Sequence, residues 1–153
     1  VRRGLREFNP QNLTNMAWAY ATAGHATPAL LGAIAEEAVR RGLREFNPQD
    51  LSNMAWANAT AGHAAPALLD AIAEEAVRRG LREFNPQNLT NMAWAYATAG
   101  HAAPALLDAI AKEAVRRGLR EFNPQDLSNT AWAYATAGHA APALLDAIAE
   151  EAV

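Results

Sequence analysis

The sequence contains no cysteine, which excludes a disulfide framework, a thiol nucleophile and a cysteine-based metal site. It also lacks long hydrophobic runs, and apolar stretches of only a few residues are too short to span a bilayer. Neither sign of charge dominates, because 13 Lys and Arg residues stand against 16 Asp and Glu residues. With 51% hydrophobic and 19% charged residues, the composition is that of a folded chain and argues against disorder.

The dominant feature of the sequence is an internal repeat of 38 residues. The units agree at all but seven positions, and each begins at one of the valines Val1, Val39, Val77 and Val115, with Val153 opening the next. Such a period indicates an array of similar structural units. Because the chain lacks an initiator Met and begins and ends at equivalent positions, we expect it to be a piece of a longer protein whose targeting signals lie elsewhere.

Each unit carries the signals of two helices, A and B. Asn9 is a good N-cap residue and Pro10 suits the first helical position, so helix A is predicted to run from there to about Ala23. Gly24 suits the left-handed residue that closes a helix, and Pro28 soon starts helix B. The short connection predicts that A and B are antiparallel neighbours.

One A–B pair cannot bury both of its apolar faces, so successive pairs must stack. We therefore predict an all-α fold, an α-solenoid of stacked antiparallel helix pairs with a superhelical path. Its parts are the end of a preceding helix B (1–8), three complete repeats (9–46, 47–84 and 85–122) and a truncated fourth repeat (123–153).

Helix B is predicted to be amphipathic, with a charged side that carries paired residues. Glu36–Arg40 and Glu37–Arg41 have the favourable i, i+4 order. Gly42 either ends the helix or only weakens it before Leu43. A periodic set of arginines would either follow a phosphate chain or form an internally paired, solvated face; it comprises Arg2, Arg3, Arg6, Arg40, Arg41, Arg44, Arg78, Arg79, Arg82, Arg116, Arg117 and Arg120.

The segment Phe-Asn-Pro-Gln-Asp-Leu-Ser-Asn-Thr-Ala-Trp-Ala, from Phe122 to Ala133, recurs with few changes in every unit. It resembles the octotricopeptide repeat family, whose 38-residue helix pairs carry a similar Pro-Gln-x-Leu-x-Asn-x-x-Trp-Ala signature. The resemblance covers essentially the whole chain. It implies an α-solenoid that binds single-stranded RNA in chloroplasts or mitochondria, with about one nucleotide per repeat and no catalytic function of its own.

Two stripes on helix A are candidates for contacting a ligand. The variable stripe has i, i+4, i+8 spacing, and its exchanges alter hydrogen-bonding character, as recognition of base edges requires. Its members are Asn12, Met16 and Tyr20 in the first unit, then Asp50, Met54 and Asn58, Asn88, Met92 and Tyr96, and Asp126, Thr130 and Tyr134. The alternative is that Met16, Tyr20 and their counterparts are packing residues whose changes are neutral.

The invariant stripe consists of Gln11, Asn15, Trp18 and Thr22 and their counterparts. Asn15 would contact backbone or base at every repeat, as would its equivalents Asn53, Asn91 and Asn129. Trp18 would stack on a base if it were exposed, whereas burial between helices is the usual role of a large aromatic side chain.

The leading prediction is therefore a non-enzymatic module that binds single-stranded RNA, without a cofactor. The alternative is a protein-binding or purely architectural scaffold, which the absence of Lys and Arg between Asn9 and Ala29 favours. One histidine per unit is a weak metal signal, so a structural role is expected for His25, His63, His101 and His139. Neither end carries a polar capping repeat, which predicts head-to-tail association of chains.

Overall fold

Proline residues mark the start of every α-helix in the computed structural model, which describes residues 4–25 and 28–153. The A helices are α1 (Pro10–Thr22), α3 (Pro48–Thr60), α5 (Pro86–Ala99) and α7 (Pro124–Ala137). The B helices are α2 (Pro28–Arg41), α4 (Pro66–Arg79), α6 (Pro104–Arg117) and α8 (Pro142–Ala152). The described residues contain no strand, and the predicted all-α solenoid of helix pairs is confirmed.

Each A helix begins with a reciprocal capping box. The Asn9 side chain accepts a hydrogen bond from the Asn12 backbone N–H at 2.7 Å, and the Asn12 side chain accepts one from the Asn9 N–H at 3.0 Å. The two bonds satisfy backbone donors that a helix start leaves without partners. The same arrangement begins α3, α5 and α7, so the predicted N-cap is confirmed in all four repeats.

A glycine follows the last residue of α2, α4 and α6, which answers whether Gly42 ends helix B. Gly42 has φ 84°, a value that L side chains rarely adopt, and α2 stops at Arg41. Before the first A helix, Leu5–Glu7 forms a single 3₁₀ turn after Gly4, which also has positive φ. The prediction that residues 1–8 are the end of a helix B is therefore wrong for residues 4–8. Residues 1–3 lie outside the described part of the chain.

The helices form two layers, with A packed on A and B packed on B between successive repeats. Several leucines and alanines of the A helices are fully buried, among them Leu13, Ala17 and Leu51. On the B helices, Leu31 and Ile34 face the same core. The core thus runs along the array between the layers and leaves one side of each layer exposed. Within the described residues, no helix is both long and apolar enough to cross a membrane.

Candidate binding surface on the A helices

The variable stripe lies between neighbouring repeats, and the expectation that it faces a ligand is corrected. Nine of its twelve side chains are buried: Asp50, Met54, Asn58, Asn88, Met92, Tyr96, Asp126, Thr130 and Tyr134. Only the first repeat departs from this, with Asn12 exposed and Met16 and Tyr20 half-buried, because no repeat packs against that side. These positions were predicted correctly as one face, but the face is a packing surface.

The exchange of Asn for Asp in this stripe has a structural explanation. Asp50 and Asn88 both supply the carboxylate or amide oxygen that accepts the N-cap N–H of the capping box, at 3.3 and 3.1 Å. Either side chain offers that oxygen, so both preserve the helix start. Burial raises the pKa of Asp50, since desolvation disfavours its charged form.

In repeats 3 and 4, the third residue of the stripe joins its repeat to the preceding one. The Tyr134 hydroxyl donates to the backbone carbonyl oxygen of Leu107 at 2.7 Å, and the Tyr96 hydroxyl donates to that of Leu69. Burial raises the pKa of both tyrosines. These hydroxyls are occupied inside the array, so Tyr96 and Tyr134 do not offer a stacking surface to a base.

The invariant stripe, in contrast, forms the free side of the A layer. Its tryptophans make one continuous row, with ring centroids 6.3 Å apart for Trp18–Trp56 and Trp56–Trp94 and 6.5 Å apart for Trp94–Trp132. The end members Trp18 and Trp132 are 43% and 47% exposed, and the middle pair is half-buried. The row is neither wholly structural nor fully exposed, and each indole leaves part of its surface to solvent.

Primary amides flank this row and line a groove between repeats. A groove of about 390 Å³ is bounded by Trp18, Gln49, Asn53, Trp56, Asn85, Gln87, Asn88 and Asn91. Asn15 is exposed, and Asn53, Asn91 and Asn129 are half-buried. An amide offers both donors and an acceptor, so the groove can bind either kind of hydrogen-bonding group without a charge. We call this set of tryptophans and amides the Trp–amide face.

The arginines of helix B divide into two structural classes. Arg79 donates to the carbonyl oxygens of Phe46 and Leu43 at 2.7 and 3.0 Å, and its guanidinium also contacts Glu75. Arg41 and Arg117 repeat this arrangement, so the ends of α2, α4 and α6 are each tied to the turn before the A helix of the same repeat. Arginines of this class are committed to structure and are not part of a free basic surface.

The second class is more exposed but still largely paired. Arg40 hydrogen-bonds Glu37 rather than the predicted Glu36, and Arg41 binds the same carboxylate. The predicted Glu37–Arg41 pair is confirmed, and the two guanidinium groups lower the pKa of Glu37 to about 2. Arg6, Arg44, Arg82 and Arg120 are exposed, while Arg2 and Arg3 lie outside the described residues.

Histidines sit at the turns from A to B rather than on the Trp–amide face. The His101 Nε2 lies 2.7 Å from a carboxylate oxygen of Asp70 in the preceding repeat, and His139 pairs with Asp108 in the same way. Residues 4–25 and 28–153 hold no group of three His, Asp or Glu side chains placed to bind a metal. His101 and His139 therefore each join their repeat to the preceding one.

Comparison with known families shows a match over most of the chain. A family model described as a protein of unknown function, DUF1601, matches residues 1–16, 16–54, 67–92 and 102–130. The chain belongs to this family. Of the four tryptophans of the Trp–amide face, the matched ranges contain Trp18, whereas Trp56, Trp94 and Trp132 lie just beyond the ends of matched segments. No curated protein matches the chain.

Sequence reasoning missed the role of Arg41, Arg79 and Arg117. The two adjacent arginines of each repeat cannot be distinguished by their charge. In the structure, only the second donates a hydrogen bond to a backbone carbonyl oxygen of the turn 33 residues earlier. Its helix position, four residues after Glu37, was the available signal.

Proposed function

We propose that the chain binds single-stranded RNA along the Trp–amide face, with about one nucleotide per repeat, as part of RNA metabolism in a chloroplast or mitochondrion. The single observation that carries this proposal is the row of partly exposed tryptophans, spaced 6.3 to 6.5 Å apart. Aromatic side chains stack on bases with a gain of roughly 1 to 3 kcal/mol per base. The resemblance to octotricopeptide repeats supplies the ligand class and the compartment.

The chemistry of the Trp–amide face determines how strongly it would discriminate among RNA sequences. Asn15, Asn53, Asn91 and Asn129 recur identically, so each repeat offers the same hydrogen bonds to a base edge or a 2′-hydroxyl. Stacking tolerates every base. The expected binding therefore discriminates weakly among sequences.

A second candidate, binding of an extended peptide, is supported by the charge of this face. No Lys or Arg lies on the described A helices, although cations on the binding surface provide most of the affinity for a phosphate backbone. Primary amides at regular intervals are equally suited to the N–H and C=O groups of an extended polypeptide.

Intrinsic fluorescence tests the proposal directly, because all four tryptophans of the chain belong to this face. Titration with unlabelled single-stranded RNA of each base should quench the signal, with a weaker effect from matched DNA. Since the face has no cations, we expect only a shallow fall in affinity with salt.

Matched variants locate the binding site. Asn53→Ala combined with Asn91→Ala should weaken RNA binding, whereas Val39→Ser, on the exposed side of α2, should leave it unchanged. If Arg44→Ser and Arg82→Ser abolish binding while the asparagine variant does not, RNA binds elsewhere. A folded chain that ignores RNA at low salt would overturn the proposal, and quenching by unstructured peptides would then support the second candidate.

A further inference from the structure

Exposed arginines stand in the turns that lead into the A helices. Each lies three residues before the N-cap asparagine of its helix, and we call the set the turn arginines: Arg44, Arg82 and Arg120. They precede α3, α5 and α7, in turns that join one repeat to the next. A cation therefore recurs along this edge of the array at the period of the repeat.

The turn arginines have no side-chain partner within residues 4–25 and 28–153. Their guanidinium groups make no hydrogen bond or ion pair there, whereas Arg78 and Arg79 both bind Glu75. The backbone of the turns is used instead, since the carbonyl oxygens of Arg44 and Arg82 accept hydrogen bonds from helix B arginines. Exposed guanidinium groups with unused donors are suited to binding phosphate.

The groove of the Trp–amide face reaches the same edge of the array. Its lining extends from Trp18 and Trp56 to Asn85 and Gln87, which lie at the start of α5. Arg82 precedes Asn85 by three residues. A turn arginine is thus placed at the end of the groove at which α5 begins.

The position of the tryptophan row leaves room for a nucleotide between the indoles and this edge. Trp94 lies nine residues after Asn85, which puts it roughly 14 Å further along the helix. A base stacked on the row can extend its sugar and phosphate over that distance toward the turn arginine. The opposite direction offers no cation, because no Lys or Arg lies between Asn85 and Ala111. The positive ends of the A helix dipoles also lie at the arginine edge.

We infer that the turn arginines bind the phosphate groups of a single strand whose bases stack on the Trp–amide face, an inference that rests on the function proposed above. The sugar–phosphate chain would follow the edge where the A helices begin, and the bases would point toward the tryptophan row. Glu45 and Glu83, which directly follow Arg44 and Arg82 and are exposed, reduce the attraction for phosphate. One partly offset contact per repeat agrees with the shallow salt dependence expected above.

Tryptophan quenching by a short oligouridylate, measured at several salt concentrations, tests this inference. Arg44→Gln combined with Arg82→Gln should lower the slope of log affinity against log salt by about 1.4, at about 0.7 for each phosphate contact of a single strand. The unaltered chain should therefore lose about sevenfold more affinity than this variant between about 50 and 200 mM salt. Both side chains are exposed and unpaired among the described residues, so the variant should fold normally.

Lys112→Glu is the matched control for net charge. It lowers the net charge by as much as the double arginine variant does, and glutamate already fills this position in the other repeats, at Glu36, Glu74 and Glu150. Because Lys112 belongs to α6 rather than to a turn before an A helix, this variant should keep the salt slope of the unaltered chain.

Two further measurements separate phosphate binding from other effects. Glu45→Gln combined with Glu83→Gln should strengthen RNA binding, since it removes the carboxylates beside two turn arginines. A strand of the same bases with uncharged methylphosphonate linkages should bind the double arginine variant and the unaltered chain equally well, because it carries no phosphate charge.

Several results would overturn the inference while leaving the proposed function in place. The first is quenching by RNA with the same salt slope in the unaltered chain and the double arginine variant. The second is an equal fall in slope with Lys112→Glu, and the third is an arginine effect that persists with the methylphosphonate strand. Glutamate variants that bind RNA no more tightly would have the same consequence. If RNA does not quench the unaltered chain even at low salt, the proposed function fails and this inference fails with it.

Discussion

Asn58 and Tyr96 hold the same place in successive repeats, but their side chains bind carbonyl oxygens of different helices. The Asn58 amide donates to Met54 in its own helix at 2.9 Å, whereas the Tyr96 hydroxyl reaches across the junction to Leu69. The Asn58 Oδ1 is buried without a hydrogen-bond partner. Gly32 stands where Asp70 and Asp108 pair with histidines. The first junction therefore lacks both polar links of the later junctions.

Restoring these links should stabilise the array. We expect Gly32→Asp combined with Asn58→Tyr to raise the free energy of unfolding by about 1 to 3 kcal/mol, through one buried hydrogen bond, relief of the buried amide oxygen and loss of a helical glycine. A Cβ at Gly32 meets no atom within 4 Å, so the substitution fits. Urea unfolding followed by circular dichroism measures the change. Gly32→Ala is the control for helix propensity, and a double variant no more stable than this control would contradict the prediction.

Two buried threonines should respond in opposite ways to the same substitution. The Thr14 hydroxyl is buried without a hydrogen-bond partner, while the Thr90 hydroxyl lies 3.1 Å from that of Thr130. Thr14→Val should raise the free energy of unfolding by about 1 kcal/mol, and Thr90→Val should lower it by about 1 kcal/mol, since it leaves Thr130 unpaired. Thermal unfolding of the two variants provides the comparison. Shifts of the same sign would show that hydrogen bonding does not control these sites.

Replacing either of two adjacent arginines by lysine should lower the free energy of unfolding by very different amounts. Arg79 donates to three backbone carbonyl oxygens and to Glu75 at once, whereas Arg78 hydrogen-bonds Glu75 and has 54% of its side chain exposed. A lysine ammonium cannot reproduce the planar fork of donors, so Arg79→Lys should cost about 1 to 3 kcal/mol. Arg78→Lys should cost less than about 0.5 kcal/mol. Equal losses in urea unfolding would assign the effect to charge alone.

Acid should weaken the array through the glutamates that bind these arginines. Arginine hydrogen bonds lower the pKa of Glu37 to about 2 and also lower the pKa of Glu75 and Glu113. Because the folded-state pKa lies below the unfolded value, the stabilisation is complete above the unfolded pKa and is lost as pH falls through the folded pKa. The loss should therefore extend from about pH 5 to about pH 2.

Glu75→Gln tests the pH dependence against a neighbour. This variant should be less stable than the unaltered chain near neutral pH, and the difference should narrow in acid as Glu75 itself becomes protonated. Glu74→Gln is the control, since Glu74 is exposed and makes no ion pair among the described residues. The buried Asp50, whose pKa is raised, acts in the opposite direction but contributes equally to both variants. A difference that does not vary with pH would refute this assignment.

The fold was predictable because local signals at each repeat agree. Asn9, Pro10, Gly24 and Pro28 mark helix boundaries by their own backbone and capping chemistry, which needs no distant partner. The 3₁₀ turn at Leu5–Glu7 was missed because a positive-φ glycine and a weakened helical glycine look alike in sequence.

The candidate surface was less predictable, since burial depends on neighbouring repeats. Met54 and Asn53 are adjacent in the sequence, yet the first is fully buried and the second is half-buried. Helical spacing correctly separated the two stripes but did not say which one the next repeat covers. The chemical variety at Asn58 and Tyr96 suggested recognition of a ligand, whereas both side chains bind groups of the chain itself.

The tryptophan row has an optical consequence. Successive indoles lie 6.3 to 6.5 Å apart with ring planes inclined by 29° to 30°, which is close enough for their electronic transitions to couple. Coupled transitions share excitation along the row and give paired bands of opposite sign in circular dichroism, whose strength depends on the angle and distance between rings. A stretch or twist of the superhelix would change these distances and angles. The change would therefore be detectable in the circular dichroism spectrum without an added label.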